Sequence, residues 1–114
     1  KPASDFALRL GYSAFYPLPQ STLDDVAAGG ENPVGNGPYM LAAEGSWAHN
    51  EKIDLVPNPE YTGDNKAQNG GVTFIFYAEA DAAYNDLLAN NLDVLDQIPD
   101  SAIDLFEEEL GDRD

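Results

Sequence analysis

Asn32-Pro33-Val34-Gly35-Asn36-Gly37-Pro38-Tyr39 is the run whose reading decides the fold. Prolines fix φ on either side of two glycines that are free to adopt positive φ, so the run reads as a tight turn. The pattern predicts positive φ at Gly35 or Gly37. It makes Asn32, Pro33, Gly35, Gly37, Pro38 and Tyr39 a structural motif that sets how the chain enters a strand over 38–43. Lys52-Ile53-Asp54-Leu55-Val56 alternates apolar and polar residues and reads as a second strand, 52–56. Gly45-Ser46-Trp47-Ala48-His49-Asn50 supplies a turn between them, so the two strands are expected to form a β-hairpin, ended by Asn58-Pro59.

Downstream, the apolar run Val72-Thr73-Phe74-Ile75-Phe76-Tyr77 suits a strand covered on both faces. Asp81 can cap a helix over 81–90, in which Tyr84, Leu87 and Leu88 share one face. Asn90 or Asn91 must then turn the chain sharply and is expected in the left-handed region. Leu92-Asp93-Val94-Leu95-Asp96 reads as a strand, 92–96, which would complete a βαβ unit parallel to 72–77. A last helix is expected over 101–110, with Gly111 at its C-cap. Upstream, Phe6-Ala7-Leu8-Arg9-Leu10 alternates and reads as a strand. It runs into Tyr12-Ser13-Ala14-Phe15-Tyr16-Pro17-Leu18-Pro19, an extended segment leaving a sheet. Ser21 to Ala28 reads as a short helix capped by Ser21 or Thr22 and ended by Gly29-Gly30. The class is therefore mixed α/β (α+β). The expected core comprises Leu8, Leu10, Tyr39, Leu41, Ile53, Leu55, Val72, Phe74, Phe76, Leu87, Leu88, Val94 and Phe106.

At 114 residues and 43% hydrophobic content, the chain has the size and composition of one folded domain. Its net charge of −16 repels a phosphate backbone and an anionic bilayer, which argues against nucleic-acid and membrane-surface partners. Such a charge suits solubility outside the cell or in a salty medium. With no cysteine there is neither a disulfide framework nor a thiol nucleophile. No apolar run is long enough to span a membrane, so no insertion by this segment is expected. Lys1-Pro2-Ala3-Ser4 reads as a cut inside a longer chain.

Catalytic patterns are weak. His49 is the sole histidine and falls in a polar turn, where it reads as solvated. Gly11-Tyr12-Ser13-Ala14-Phe15 lacks the last glycine of a nucleophile elbow. Gly35-Asn36-Gly37 opens like a dinucleotide fingerprint but has Met40 in place of the third glycine and precedes a strand. No stretch has calcium-loop spacing, and the sequence implies no catalytic residue, metal or cofactor. Tyr12, Phe15 and Tyr16 either pack beneath neighbouring loops or face a ligand, for which aromatic rings supply contact area at low entropic cost. The readings from other classes are a calcium-stabilised extracellular adhesion module, testable by melting with chelator, and a secreted hydrolase, testable with His49→Ala.

The run 32–39 resembles the Asn-Pro-(Val/Ile)-Gly-Thr-Gly-Pro-Tyr motif of the family 5 extracellular solute-binding proteins, which include the oligopeptide and dipeptide receptors of ABC importers. In the same order follow Trp47, Ile53-Asp54-Leu55, Asn58-Pro59 with Tyr61, the run 72–77, Ala82, Ala83 and Leu87, and Leu92-Asp93-Val94. Phe15-Tyr16-Pro17-Leu18-Pro19 resembles the family's stretch just upstream. The similarity covers nearly the whole chain. Asn36 departs from the usual Thr or Ser, Asn90 stands where Gly is common, and the turn between Leu41 and Ile53 is slightly longer. The resemblance implies that 1–114 is a single segment of the first lobe of a two-lobed receptor that closes over an extended peptide. It further implies an exported, lipid-anchored bacterial protein whose partners are the peptide, the ABC permease subunits and the remaining lobes of its own chain.

Overall fold

The computed structural model describes residues 4–111. Phe6–Arg9 forms helix α1, Gln20–Asp24 α2 and Val26–Glu31 α3. Strands β1 (Tyr39–Leu41), β2 (Trp47–Ala48), β3 (Lys52–Pro57) and β4 (Val72–Ile75) follow, then helices α4 (Ala80–Leu88) and α5 (Phe106–Leu110). Single 3-10 turns occupy Ser13–Phe15 and Asp100–Ala102. The described chain divides into two compact units. One holds the residues up to Ala48 together with Ile53–Phe74; the other holds His49–Lys52 and the residues from Ile75 onward.

The first unit is organised on β3. β1 pairs with it antiparallel in the register Tyr39↔Pro57, Met40↔Val56 and Leu41↔Leu55, as the alternation over 52–56 predicts. β2 and β4 also pair with β3, giving a mixed α/β fold around a small sheet. The expected turn between the hairpin strands thus contains a two-residue strand of its own. The Asp54 carbonyl accepts from the Ala42 N–H at 3.1 Å while its own N–H donates to the Ser46 carbonyl at 2.9 Å. Asn50 turns the chain from β2 into β3 at a φ of 61°.

The upstream expectations need correction. Phe6–Arg9 is helical, with the Arg9 N–H donating to the Asp5 carbonyl at 3.1 Å. The Arg9 guanidinium also meets the Asp5 carboxylate at 2.7 Å, an i,i+4 pair that only a helix brings together. The 21–28 helix is two helices. Pro19 caps α2, and Asp25 breaks it by adopting extended backbone and capping α3, where its carboxylate accepts from the Ala28 N–H at 3.0 Å. Gly29 and Gly30 lie within α3 and do not end it.

The second unit departs further from the sequence reading. α4 forms as expected, one residue early. Its cap is Glu79, and Asp81 sits in the first turn, where its carboxylate accepts from the Ser101 hydroxyl. The helix ends in a Schellman motif. The Asn91 N–H donates to the Asp86 carbonyl at 2.8 Å and the Asn90 N–H to the Leu87 carbonyl at 3.2 Å. Asn90 stands at a φ of 61°, as the short exit from the helix demands. Asn90→Gly is therefore expected to melt like the parent or slightly above it, and Asn90→Ala to lose about 1 kcal/mol. Equal melting of both variants would show that the left-handed cap contributes nothing.

Leu92–Asp96 is not a strand, so the βαβ unit is absent among the described residues. The Leu92 N–H is drawn into the helix exit, donating to the Asp86 carbonyl at 3.2 Å. Leu92, Leu95 and Ile98 are half-buried at a spacing of three, while Val94 is 78% exposed. The 101–110 helix is likewise split into a 3-10 turn and α5, with Gly111 at the expected C-cap and a φ of 54°. β4 is not covered on both faces, for Phe74 and Ile75 are exposed, as is the following Phe76. Of the expected core, Leu8 and Leu10 are exposed too, and Tyr39, Leu41, Ile53, Leu55, Val72, Leu87, Leu88 and Phe106 are half-buried. Among the described residues, those buried are Ala83 and Tyr84 on α4, Pro99 and Ala102.

Carboxylates fasten this core. The Tyr84 hydroxyl donates to Glu109 of α5 at 2.7 Å, and the Tyr77 hydroxyl donates to Asp86 at 2.7 Å. Acceptance from Tyr77, then from Asn91, holds the Asp86 carboxyl below its usual range, partly opposed by desolvation. That contribution is present above the ordinary carboxylate pKa and is lost as pH falls through the lowered one. The bond to Glu109, then burial and carboxylate repulsion, pushes the Tyr84 hydroxyl from 10.0 up to about 12. Because the folded state holds this proton more tightly, its contribution is complete below pH 10.0 and is lost as pH rises towards about 12. Alkaline melts followed by circular dichroism should show a loss of stability in that window that Tyr84→Phe removes. A parent and variant that decline in parallel would contradict the assignment. All described carboxylates other than Asp5, Asp54 and Asp86 are exposed.

Candidate functional site

Tyr12, Phe15 and Tyr16 lie where α1 gives way to the 3-10 turn Ser13–Phe15. The Tyr12 N–H donates to the Arg9 carbonyl at 3.0 Å and the Phe15 N–H to the Tyr12 carbonyl at 2.9 Å, so the chain coils through this segment. Tyr16 has extended backbone, as a residue before proline requires. The segment therefore does not leave a sheet edge, which corrects the sequence reading.

The coil opens a shallow depression of about 460 Å³ lined by Leu8, Arg9, Gly11, Tyr12 and Phe15. Tyr12 and Phe15 are brought together on its wall; Tyr16 is not part of the lining. Tyr12 is 70% exposed, Phe15 57% and Tyr16 60%, so none of the three packs beneath a loop of the described chain. The Arg9 guanidinium is tied to Asp5, leaving the lining dominated by apolar groups. Such a surface can receive an apolar or aromatic side chain; it presents no nucleophile and base in contact. His49 is exposed in the turn between β2 and β3. Among the described residues, no group of three or more His, Asp or Glu side chains is arranged to hold a metal ion.

The motif 32–39 works differently from its sequence reading. Neither Gly35 nor Gly37 has positive φ. A Cβ on Gly37 would meet nothing within 4 Å, and one on Gly35 only the Gly37 nitrogen at 4.0 Å. The expected strain on substitution is therefore absent. The path into β1 is held by Asn58 instead. Its side-chain amide donates to the Gly37 carbonyl at 2.9 Å and its backbone N–H to the Pro38 carbonyl at 2.9 Å. The Tyr39 hydroxyl adds a bond to Asn69 at 2.7 Å. Sequence reasoning treated Asn58 only as a strand terminator. The signal was the Asn-Pro pair itself, since an asparagine at a turn can bond to its own following backbone, as Asn58 does to the Glu60 N–H at 3.0 Å.

The sequence profile of the bacterial extracellular solute-binding proteins, family 5, middle region, matches residues 1–114. The probable D,D-dipeptide-binding periplasmic protein DdpA of Escherichia coli K12 is 30% identical over 79 residues, covering 69% of this chain and 14% of that protein. The periplasmic murein peptide-binding protein MppA of the same organism is 31% identical over 104 residues, covering 87% of this chain and 18% of that protein. Among solved structures, Haemophilus influenzae OppA in complex with the peptide RPPGFSPFR superposes with a TM-score of 0.72 at 26% identity, covering 97% of this chain and 22% of that one. HbpA2 from Haemophilus parasuis superposes with a TM-score of 0.68 at 21% identity, over 96% of this chain and 22% of that one, and shares the fold. The chain thus spans less than a fifth of the length of these curated relatives. On the match along its whole length, this chain belongs to the family 5 bacterial extracellular solute-binding proteins.

Proposed function

We propose that this chain is a structural segment of the first lobe of a peptide receptor serving an ABC importer, with no catalytic role of its own. The observation that carries the reading is the family match over residues 1–114, supported by two relatives whose names describe peptide binding. The receptor works outside the cytoplasmic membrane, lipid-anchored, and passes peptide to permease subunits; hydrolysis of ATP belongs to other proteins. The exposed rings of Tyr12 and Phe15 on one depression, with Tyr16 beside them, support a contact with a peptide side chain in this segment.

A peptide laid on this surface alone keeps much of its backbone in water. It gains few desolvated hydrogen bonds to offset its lost freedom. Titration calorimetry of one peptide mixture against the isolated chain and against the longer protein tests the reading. Binding by the longer protein, and not by the isolated chain, is the expected result. Comparable affinity for both would place the whole binding site within these residues and overturn the structural role. Absence of binding to the longer protein would overturn peptide as the ligand.

A further inference from the structure

The chain contains two Asn-Gly pairs, Asn36-Gly37 and Asn69-Gly70, and the structure treats them differently. Asn36 is exposed, and among the described residues neither its side-chain amide nor the Gly37 N–H has a hydrogen-bond partner. The space around Gly37 is open on the side where a Cβ would stand. Asn69 is exposed as well, but its side-chain oxygen accepts from the Tyr39 hydroxyl at 2.7 Å. One amide is free to turn onto the following backbone nitrogen; the other is held on a tyrosine at the start of β1.

We propose that Asn36 is a site of spontaneous, structure-selected deamidation. The Gly37 backbone nitrogen, losing its proton to solvent base, attacks the Asn36 side-chain carbonyl carbon. The carbon–nitrogen bond of the side-chain amide breaks and ammonia leaves, forming a five-membered succinimide. Water then opens the ring at one of its two carbonyls, leaving aspartate or isoaspartate at position 36. Glycine favours the ring because no Cβ shields its nitrogen and its backbone is free to rotate. The product adds one negative charge to a chain already at −16. In the isoaspartate form it also lengthens the backbone by one carbon, directly ahead of the Gly37 and Pro38 carbonyls that Asn58 holds.

The test is incubation of the purified protein in mildly alkaline buffer, followed by peptide mapping with mass spectrometry that separates the isoaspartate form. Position 36 is expected to convert severalfold faster than position 69. Gly37→Ala, for which the structure has room, should slow conversion at 36 severalfold without lowering the melting temperature. Tyr39→Phe should speed conversion at 69 and narrow the gap. Equal rates at the two positions in the parent, or an unchanged rate at 36 in Gly37→Ala, would overturn the proposal. A Tyr39→Phe variant with an unaltered gap would overturn the protection assigned to that hydrogen bond.

Discussion

Gly71→Ala is expected to cost about 2–3 kcal/mol, the sum of a backbone conformation that side chains avoid and a collision that cannot be relieved locally. Gly71 has a φ of 156°, and a Cβ built there falls 2.5 Å from the Leu55 carbonyl oxygen. That oxygen belongs to β3, on which the sheet is organised, so it cannot retreat without disturbing the pairing of β4 or β1. Denaturant unfolding should show a lower midpoint with an unchanged slope. Gly35→Ala and Gly37→Ala, both with space for a methyl group, serve as references that unfold like the parent. A Gly71→Ala midpoint equal to theirs would mean that β4 does not approach β3 as closely as described.

Tyr84→Ala should lower the melting temperature by roughly 15 °C, the scale expected when an aromatic ring is removed from a core with few other members. Tyr84 is 5% exposed and lies beside Ala83, which is 4% exposed. Its hydroxyl reaches across to Glu109, so truncation removes both the ring and the bond that connects α4 with α5. Tyr84→Phe keeps the ring and should retain most of the stability at neutral pH. If Phe and Ala were equally damaging, the hydrogen bond and not the ring would be holding the unit, and the packing described for it would be wrong.

The elements legible in the sequence were those whose determinants are local. The hairpin follows from alternation over 52–56 and the turn chemistry around Gly45 and Asn50. α4 follows from the recurrence of Tyr84, Leu87 and Leu88, and its exit from the tolerance of Asn90 for the left-handed region. The errors arose where alternation competes with another pattern. Phe6 to Leu10 alternates, yet the spacing of Asp5 and Arg9 favours a helix. Leu92-Asp93-Val94-Leu95-Asp96 alternates only until Leu95 follows Val94 directly, and a strand there would also need a neighbouring edge that local sequence cannot supply. The core was misjudged for a related reason. Burial of Phe74, Phe76 or Val94 depends on what lies against them, and these 114 residues correspond to a small share of the relatives' length. For the candidate site, the sequence identified Tyr12 and Phe15 as aromatics to watch. Their meeting on one depression required the coil between Arg9 and Phe15, which the strand reading hid.

The carboxylates that close the second unit have a physical consequence of another kind. From Ile75 to Gly111 the chain carries ten Asp and Glu residues and no Lys, Arg or His. Near neutral pH this stretch is a short polyanion that contains the buried Ala83, Tyr84, Pro99 and Ala102. Raising salt from about 0.1 M to about 1 M contracts the Debye length from about 10 Å to about 3 Å and quenches repulsion between neighbouring turns. Hydrogen exchange measured on peptides from α4 should therefore slow as sodium chloride is added. In a variant with Glu107→Gln, Glu108→Gln and Asp104→Asn the salt response should flatten; an undiminished response would trace it to apolar burial, not to charge. For this stretch of the chain, ionic strength acts as temperature does for an ordinary domain: it sets how much of the time the helix is closed.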